Sequence, residues 1–400
     1  MLKTTLFLLT ILQMFSSIKG NDSTTDAKRV VCYYAGFKLK QMKNLHPEDI
    51  DASVCTHIVY IHGEINTQLQ KIYIPPSSES QPIGGDDYVE RLVKLKEANP
   101  NLKLLLLVST EHIPWAIETA ERRTKIIQSA VEFLNATRFD GLDFATSPVA
   151  AEMVLFLHFC GNGWRMVYRR KYYKSSSADK LNHHRLLHVG MQIPEGRSCR
   201  HHVRMTVETC IERGFPANKL LISVPTFGLM FNLTDPKQTG LGASIDGPGN
   251  DRSQYSEGYT IFYSTLWKRL NDTTEGWTVA RDEKTNSPYA YSKTGKWLSY
   301  EDPISAAIKA RYVLEKNLGG ALIIALDLED FDGMTGKTFP IIRAVSDTFR
   351  QGVRASNEAV SHFYCEMQAA FEPYGYILST IVSGKPEPMA MQAVVERMSR

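Results

Sequence analysis

Hydrophobic positions along the chain fall into short, near-continuous β-rich runs separated by stretches with helical spacing. Val30-Val31-Cys32-Tyr33-Tyr34, His57-Ile58-Val59-Tyr60-Ile61 and Lys103 to Val108 predict three buried strands. Between the second and third, Val89, Leu92, Val93 and Leu95 share one face of a helix over residues 88–98, which Asn99-Pro100 ends. Residues 122–136 predict another helix and Phe139 to Phe144 a fourth strand. Leu220 to Val224 and Ala321 to Leu326 predict two more, each preceded by a helical pattern. Strands without polar alternation are covered on both faces, which implies a parallel sheet with helices packed against it. Repeated strand–helix units at this length predict an α/β fold, a (β/α)8 TIM barrel, with functional residues where strands end and the following loops begin.

Two regions break the rhythm. Residues 236–305 are rich in Gly, Pro, Tyr and Trp and carry short alternating segments such as Trp277-Thr-Val-Ala280, which predicts a small α+β domain inserted within the barrel. Residues 161–204 hold ten Lys or Arg against Asp179 and Glu195, with five His. That is a net +8 in a chain of net +3, so the remainder carries −5. The segment reads as a cationic patch for an acidic ligand, as a solvated loop, or as a stretch foreign to the natural fold. A structureless run of this length within a compact domain favours the duller readings. Met153–Phe159 and Leu186–Ile193 are the segments available for strands 5 and 6, and without two good strands the barrel is open or incomplete there.

The N-terminus adds an address. Lys3, the apolar run from Leu6 to Phe15, and then Ser16-Ser17 and Gly20 read as a secretory signal peptide over residues 1–20. Glycosylation sequons at Asn21, Asn135, Asn232 and Asn271 agree with a secreted, extracellular protein. The charge balance, 46 basic against 43 acidic residues, excludes a nucleic-acid scaffold or a polybasic membrane binder. No internal run reaches the roughly 18 apolar residues of a membrane span. Six cysteines in an oxidising compartment can pair in fifteen ways. Their spacing has no metal-ligand rhythm, so neither a metal nor a cofactor is expected. Residues 351–400 read as a poorly ordered C-terminal extension, and the protein as a monomer.

Several long motifs, in order, resemble the family-18 glycoside hydrolases, the chitinases and their non-catalytic chitinase-like relatives. Val31-Cys-Tyr-Tyr34, Pro47-Glu-Asp-Ile-Asp51 and Cys55-Thr-His-Ile-Val-Tyr60 look like the first two barrel strands, and Phe139-Asp-Gly-Leu-Asp143 like the start of the catalytic signature. Gly240-Leu-Gly-Ala243, Gly276-Trp-Thr-Val-Ala-Arg-Asp282 and Pro288-Tyr-Ala-Tyr291 look like the insertion domain. Gly319 to Phe331 looks like the last strand. The likeness covers about residues 29–148 and 205–350, and makes 29–350 the barrel. It implies a disulfide between Cys32 and Cys55, and chitin or chitooligosaccharide as the partner.

The resemblance also implies a specific chemistry. The substrate's own N-acetyl oxygen attacks the anomeric carbon, while a Glu protonates the leaving oxygen and an Asp two residues earlier orients the acetamido group. A D-x-D-x-E string suits this because residues i, i+2 and i+4 at a strand end point to one side. Here the remnant motif is Asp140, Asp143, Ala145 and Ser147: the outer acid survives at Asp143, Ala145 replaces the orienting Asp, and Ser147 replaces the proton donor. A hydroxyl cannot serve as general acid near neutrality, and losing one typically costs about 10²–10⁴-fold in rate. Glu152 stands at the wrong spacing to substitute. Ser109-Thr-Glu111, His62, Leu229 and Ile324 occupy positions where the family carries Gly-Gly-Trp, an aromatic, Arg and Trp. Tyr33, Phe37, Asp143 and Tyr291 remain as sugar contacts, each also readable as packing. The expected protein is thus a chitinase-like binder lacking hydrolase activity; the alternatives are an active endochitinase and a secreted signalling or growth-factor-like glycoprotein. A simpler origin for the lost acids is a misjoined coding segment around 145–204, which sequencing of the transcript decides.

Overall fold

The computed structural model describes residues 28–36, 44–76, 87–109, 111–145, 155–160, 163–168, 203–212, 214–248, 260–283 and 285–352. The expected signal peptide, Asn21, Phe37, Ser147, Leu186–Ile193 and residues 353–400 of the expected extension lie outside the described residues. Lys28–Thr348 form one compact unit; of the other, Met1–Ala27 with Phe349–Arg400, only 349–352 are described, at the end of a helix.

The first half of the unit contains β1 (Arg29–Tyr34), β2 (His57–Asn66), β3 (Lys71–Tyr73), α1 (Asp87–Ala98), β4 (Lys103–Ser109), α2 (Ile113–Glu118), α3 (Ala120–Thr137) and β5 (Gly141–Ala145). There follow β6 (Leu155–Cys160), β7 (Gly163–Tyr168), α4 (Val203–Glu212), β8 (Leu221–Pro225), β9 (Phe227–Leu233), β10 (Ile245–Pro248), β11 (Thr260–Phe262) and α5 (Tyr263–Leu270). Last come β12 (Thr278–Arg281), β13 (Pro288–Tyr291), β14 (Lys296–Ser299), α6 (Pro303–Glu315), β15 (Gly320–Ile324) and a helix α7 over 340–352.

Six strands form a parallel sheet in the order β5-β4-β2-β1-β15-β8, with β3 pairing antiparallel to β2 at its side. The apolar runs explain it. In β1, Val30, Cys32 and Tyr34 are buried while the alternate residues are half-buried, so both faces are covered. Tyr34 stacks on Tyr88 of α1, whose Val89, Leu92, Val93 and Leu95 complete the buried helical face. Burying a side chain of this size contributes about 1.5–3 kcal/mol. The Thr119 hydroxyl caps α3 by accepting the Arg122 N–H, and Arg138 ends it in the left-handed region at φ 61°. Asp302, Pro303 and Ser305 start α6 as a capping box. β15 and β1 approach so closely at Gly320 (φ +148°) that a Cβ there would lie 2.0 Å from the Arg29 carbonyl oxygen.

The region of residues 236–305 builds an antiparallel sheet, β10-β9-β14-β13-β12 with β11 on β9. Phe227–Leu233, ahead of residue 236, also belongs to this sheet, where it pairs with β10, β11 and β14. Residues 155–160 form a strand overlapping the expected Met153–Phe159, yet this strand does not join the parallel sheet. It pairs antiparallel with β7, Cys160 opposite Gly163, as a separate two-stranded sheet. The physical reason is length: nine residues separate Ala145 from Leu155, whereas a parallel crossover needs roughly a dozen or more.

Cys32 and Cys55 form a disulfide, tying β1 to the loop before β2 across a sequence separation of 23. A closed loop of that size stabilises by about 3 kcal/mol through the unfolded chain. Replacing both cysteines by Ala is expected to lower the free energy of unfolding by that amount, with a lower midpoint in chemical unfolding, and an unchanged midpoint would contradict this. No helix among the described residues is long and apolar enough to cross a membrane.

Candidate functional site at the sheet's carboxyl end

Asp143 and Tyr33 meet although they stand 110 positions apart in the chain: the Tyr33 hydroxyl donates to Asp143 Oδ2 at 2.8 Å. They lie on β5 and β1, three strand spacings apart, roughly 14 Å along a flat sheet. The bond therefore crosses the concave side of a rolled sheet, and both side chains point inward. The Tyr33 ring packs against Phe227, Phe262, Ala325 and Leu328, and Leu229 and Ile324 pack on the same cluster. Thus Leu229 and Ile324, two of the positions where the expected polar or stacking side chain is missing, share an apolar cluster with Tyr33, the residue that holds the carboxyl. Burial raises the Asp143 pKa above the ordinary carboxylate value, against the lowering effect of the Tyr33 hydroxyl and the Phe144 N–H. Burial, then the charge and hydrogen bond of Asp143, push the Tyr33 phenol up, so it stays protonated as a donor.

The other remnant positions separate. Asp140 sits at the opposite end of β5, where Lys96 Nζ lies 2.6 Å and Lys103 Nζ 3.3 Å away and the Leu104 N–H donates at 2.8 Å. Burial works to raise its pKa, but the Lys96 hydrogen bond, the Leu104 N–H and the two lysine charges together lower it. Asp140 is a tie between α1, β4 and β5, remote from the carboxyl ends of the strands. Ala145 ends β5 opposite Ser109. Ser147, Phe37 and the side chain of His62 lie outside what is described. Tyr291 belongs to β13 and packs on Phe231, Leu233, Ala243 and Trp297 in the antiparallel sheet, with its ring 6.5 Å from that of Tyr289. Trp115, the first aromatic residue after β4, is capped by the Arg122 guanidinium 4.7 Å above its ring, so one face of it serves packing.

Sequence reasoning overlooked the acids that follow β15. Asp327, Glu329 and Asp330 are all buried. Asp327 Oδ1 accepts from the Ala35 N–H, Asp330 from the N–H groups of Met334 and Thr335, and Glu329 Oε1 from those of Ile341 and Ile342 at the start of α7. Spacing would have hinted at this only through the interruption of an apolar strand by three closely set carboxyls. Among the described residues no group of three His, Cys, Asp or Glu is arranged to hold a metal ion.

The model of the Glycosyl hydrolases family 18 matches residues 29–165 and 166–329. Mouse (Mus musculus) chitotriosidase-1 is 26% identical over 392 residues, covering 83% of this chain and 79% of the relative. Among solved structures, human YKL-39, described as a pseudo-chitinase with retained chitooligosaccharide binding properties, superposes with a TM-score of 0.63 at 22% identity, covering 80% of this chain and 99% of the other. A group IV chitinase of Ostrinia furnacalis in complex with allosamidin gives a TM-score of 0.63 at 21% identity, covering 81% and 99%. These structures share the fold: a parallel sheet with helices and an added antiparallel sheet. With the family match spanning most of its length, the chain belongs to the glycosyl hydrolases of family 18.

Proposed function

We propose that this chain is a secreted chitinase-like protein that holds chitin or N-acetylglucosamine oligomers without hydrolysing them. The parallel sheet is read as the wall of a (β/α)8 barrel over residues 29–350, with the antiparallel sheet as its insertion domain. The observation that carries the reading is the string Asp143-Phe-Ala-Thr-Ser147, which offers one carboxyl where the reaction needs three. Asp143 accepts from Tyr33 and so is committed to a hydrogen bond within the wall, in place to meet a sugar hydroxyl or amide, while positions 145 and 147 of the string carry no acid to protonate a leaving oxygen. The retained chitooligosaccharide binding described for human YKL-39 supports binding without turnover. Incubation with chitooligosaccharides followed by mass spectrometry is expected to give no shorter products. Titration calorimetry with the same oligomers is expected to show binding, and absence of binding would remove the reading.

Passage through the secretory pathway makes its own prediction. Asn135 on α3 and Asn271 after α5 are exposed, whereas Asn232 is half-buried in β9, whose strand pairs with both β10 and β14. Expression in a glycosylating host is expected to attach glycans at Asn135 and Asn271. The variants N135Q and N271Q should each lose mass on a denaturing gel, and N232Q should not. A loss for N232Q alone would contradict the assignment.

A further inference from the structure

Asp143 is set apart from the other acids of the sheet by what surrounds it. Asp140, three residues earlier, has two lysines within 3.3 Å. Asp143 is served by the neutral Tyr33 hydroxyl and the neutral Phe144 N–H, and among the described residues it has no cationic partner. It is half-buried, so it is partly stripped of water yet open to a ligand. Its partner Tyr33 is packed in turn against an apolar cluster that includes Phe227, Leu229 and Ile324 and has no charge to offer. A carboxylate in such surroundings has lost hydration without gaining a counter-charge. A ligand cation restores what it lacks, and a charge-assisted hydrogen bond is roughly twice as strong as a neutral one.

We propose that the mouth of this sheet prefers amino sugars with a free, protonated amine, the glucosamine units of a deacetylated chitin, over their N-acetylated counterparts, with the ammonium on Asp143. Tyr33 is a positioning residue here: its hydroxyl holds Oδ2 and fixes how the carboxyl faces the ligand. The inference rests on the saccharide-binding reading above and names the sugar that reading left open. Tyr33 is also the titratable group that faces Asp143 among the described residues, and it stays protonated. Because burial raises the Asp143 pKa, an arriving ammonium displaces a proton from part of the carboxyl population under acidic conditions. Affinity therefore falls as the pH drops toward the carboxyl's range, and falls again when the pH rises past that of the amine.

Titration calorimetry of the full chain with a glucosamine oligomer and the N-acetylglucosamine oligomer of equal length, at mildly acidic pH, tests this. The glucosamine oligomer is expected to bind about tenfold tighter or more, the scale of a close charge pair in a partly desolvated site. D143N should abolish the preference, weakening binding of the glucosamine oligomer about tenfold more than that of the acetylated one. Repeating the wild-type titration in two buffers of different ionisation enthalpy should show proton release with glucosamine and none with N-acetylglucosamine, a readout that does not depend on the variant folding. Equal or tighter binding of the acetylated oligomer, or a preference that survives in folded D143N, would overturn the inference and leave the saccharide-binding reading standing. Binding of neither oligomer would remove both.

Discussion

The folded chain is expected to lose stability steadily as the pH rises from about 5 to about 9, and E329Q to remove most of that loss. Burial, the largest influence, raises the Glu329 pKa to about 8; the N–H groups of Ile341 and Ile342 act against it, Asp330 adds to it, and Arg343 lowers it. The side chain is fully buried, and Oε2 has no hydrogen-bond partner among the described residues. In the unfolded chain the same carboxyl ionises near 4.5. Between these values the folded state binds more protons than the unfolded one, so stability is full below the lower value and declines through the upper one. The difference is on the order of 4–5 kcal/mol once both transitions are complete. Glutamine keeps an oxygen for the α7 N–H groups and carries no charge. Guanidinium unfolding of both proteins across this range checks it: a midpoint that falls for wild type and stays level for E329Q is expected, and parallel curves would contradict it. Asp51 and Asp140, whose pKa values are lowered, act at the other end, and their contribution disappears as the pH falls through their folded values.

W297A is expected to cost about 3–5 kcal/mol, the range for removing a buried Trp. Trp297 lies fully buried in β14, stacked on Tyr289 at 5.5 Å and 6.3 Å from Phe231, with its indole N–H donating to the Thr239 carbonyl at 3.2 Å. Leu233 and Ala243 close the same cluster. The antiparallel sheet thus hangs on one large side chain, and truncation leaves both a cavity and an unpaired carbonyl. Thermal unfolding followed by near-ultraviolet circular dichroism should show a matching drop in Tm. A shift near that of an exposed substitution such as V279A, whose parent residue is 57% exposed, would contradict the assignment.

How much of this was legible beforehand depends on the range of the interactions. Strands such as Val30–Tyr34 and Lys103–Val108 were readable because their apolar residues run almost without interruption, and α1 because Val89, Leu92, Val93 and Leu95 recur at helical spacing. That positions 145 and 147 carry Ala and Ser rather than acids was readable because it is a matter of residue identity. The Tyr33–Asp143 bond was not, since it links strands three places apart that face each other only when the sheet rolls. Asp140 looked like part of the same remnant, but a strand has two ends, and the lysines of α1 and β4 hold it at the other one. The burial of Asp327, Glu329 and Asp330 was also hidden: three acids near a strand end read as a solvated turn until the N–H groups that absorb them are in place.

Binding without cleavage can be checked in one paired measurement. Purified full-length chain is mixed with an N-acetylglucosamine oligomer; calorimetry reports association while mass spectrometry follows the oligomer over the same period. Saturable binding with the oligomer recovered intact is the predicted result. Steady appearance of shorter oligomers, stopped by replacing a carboxyl residue of the chain, would contradict it.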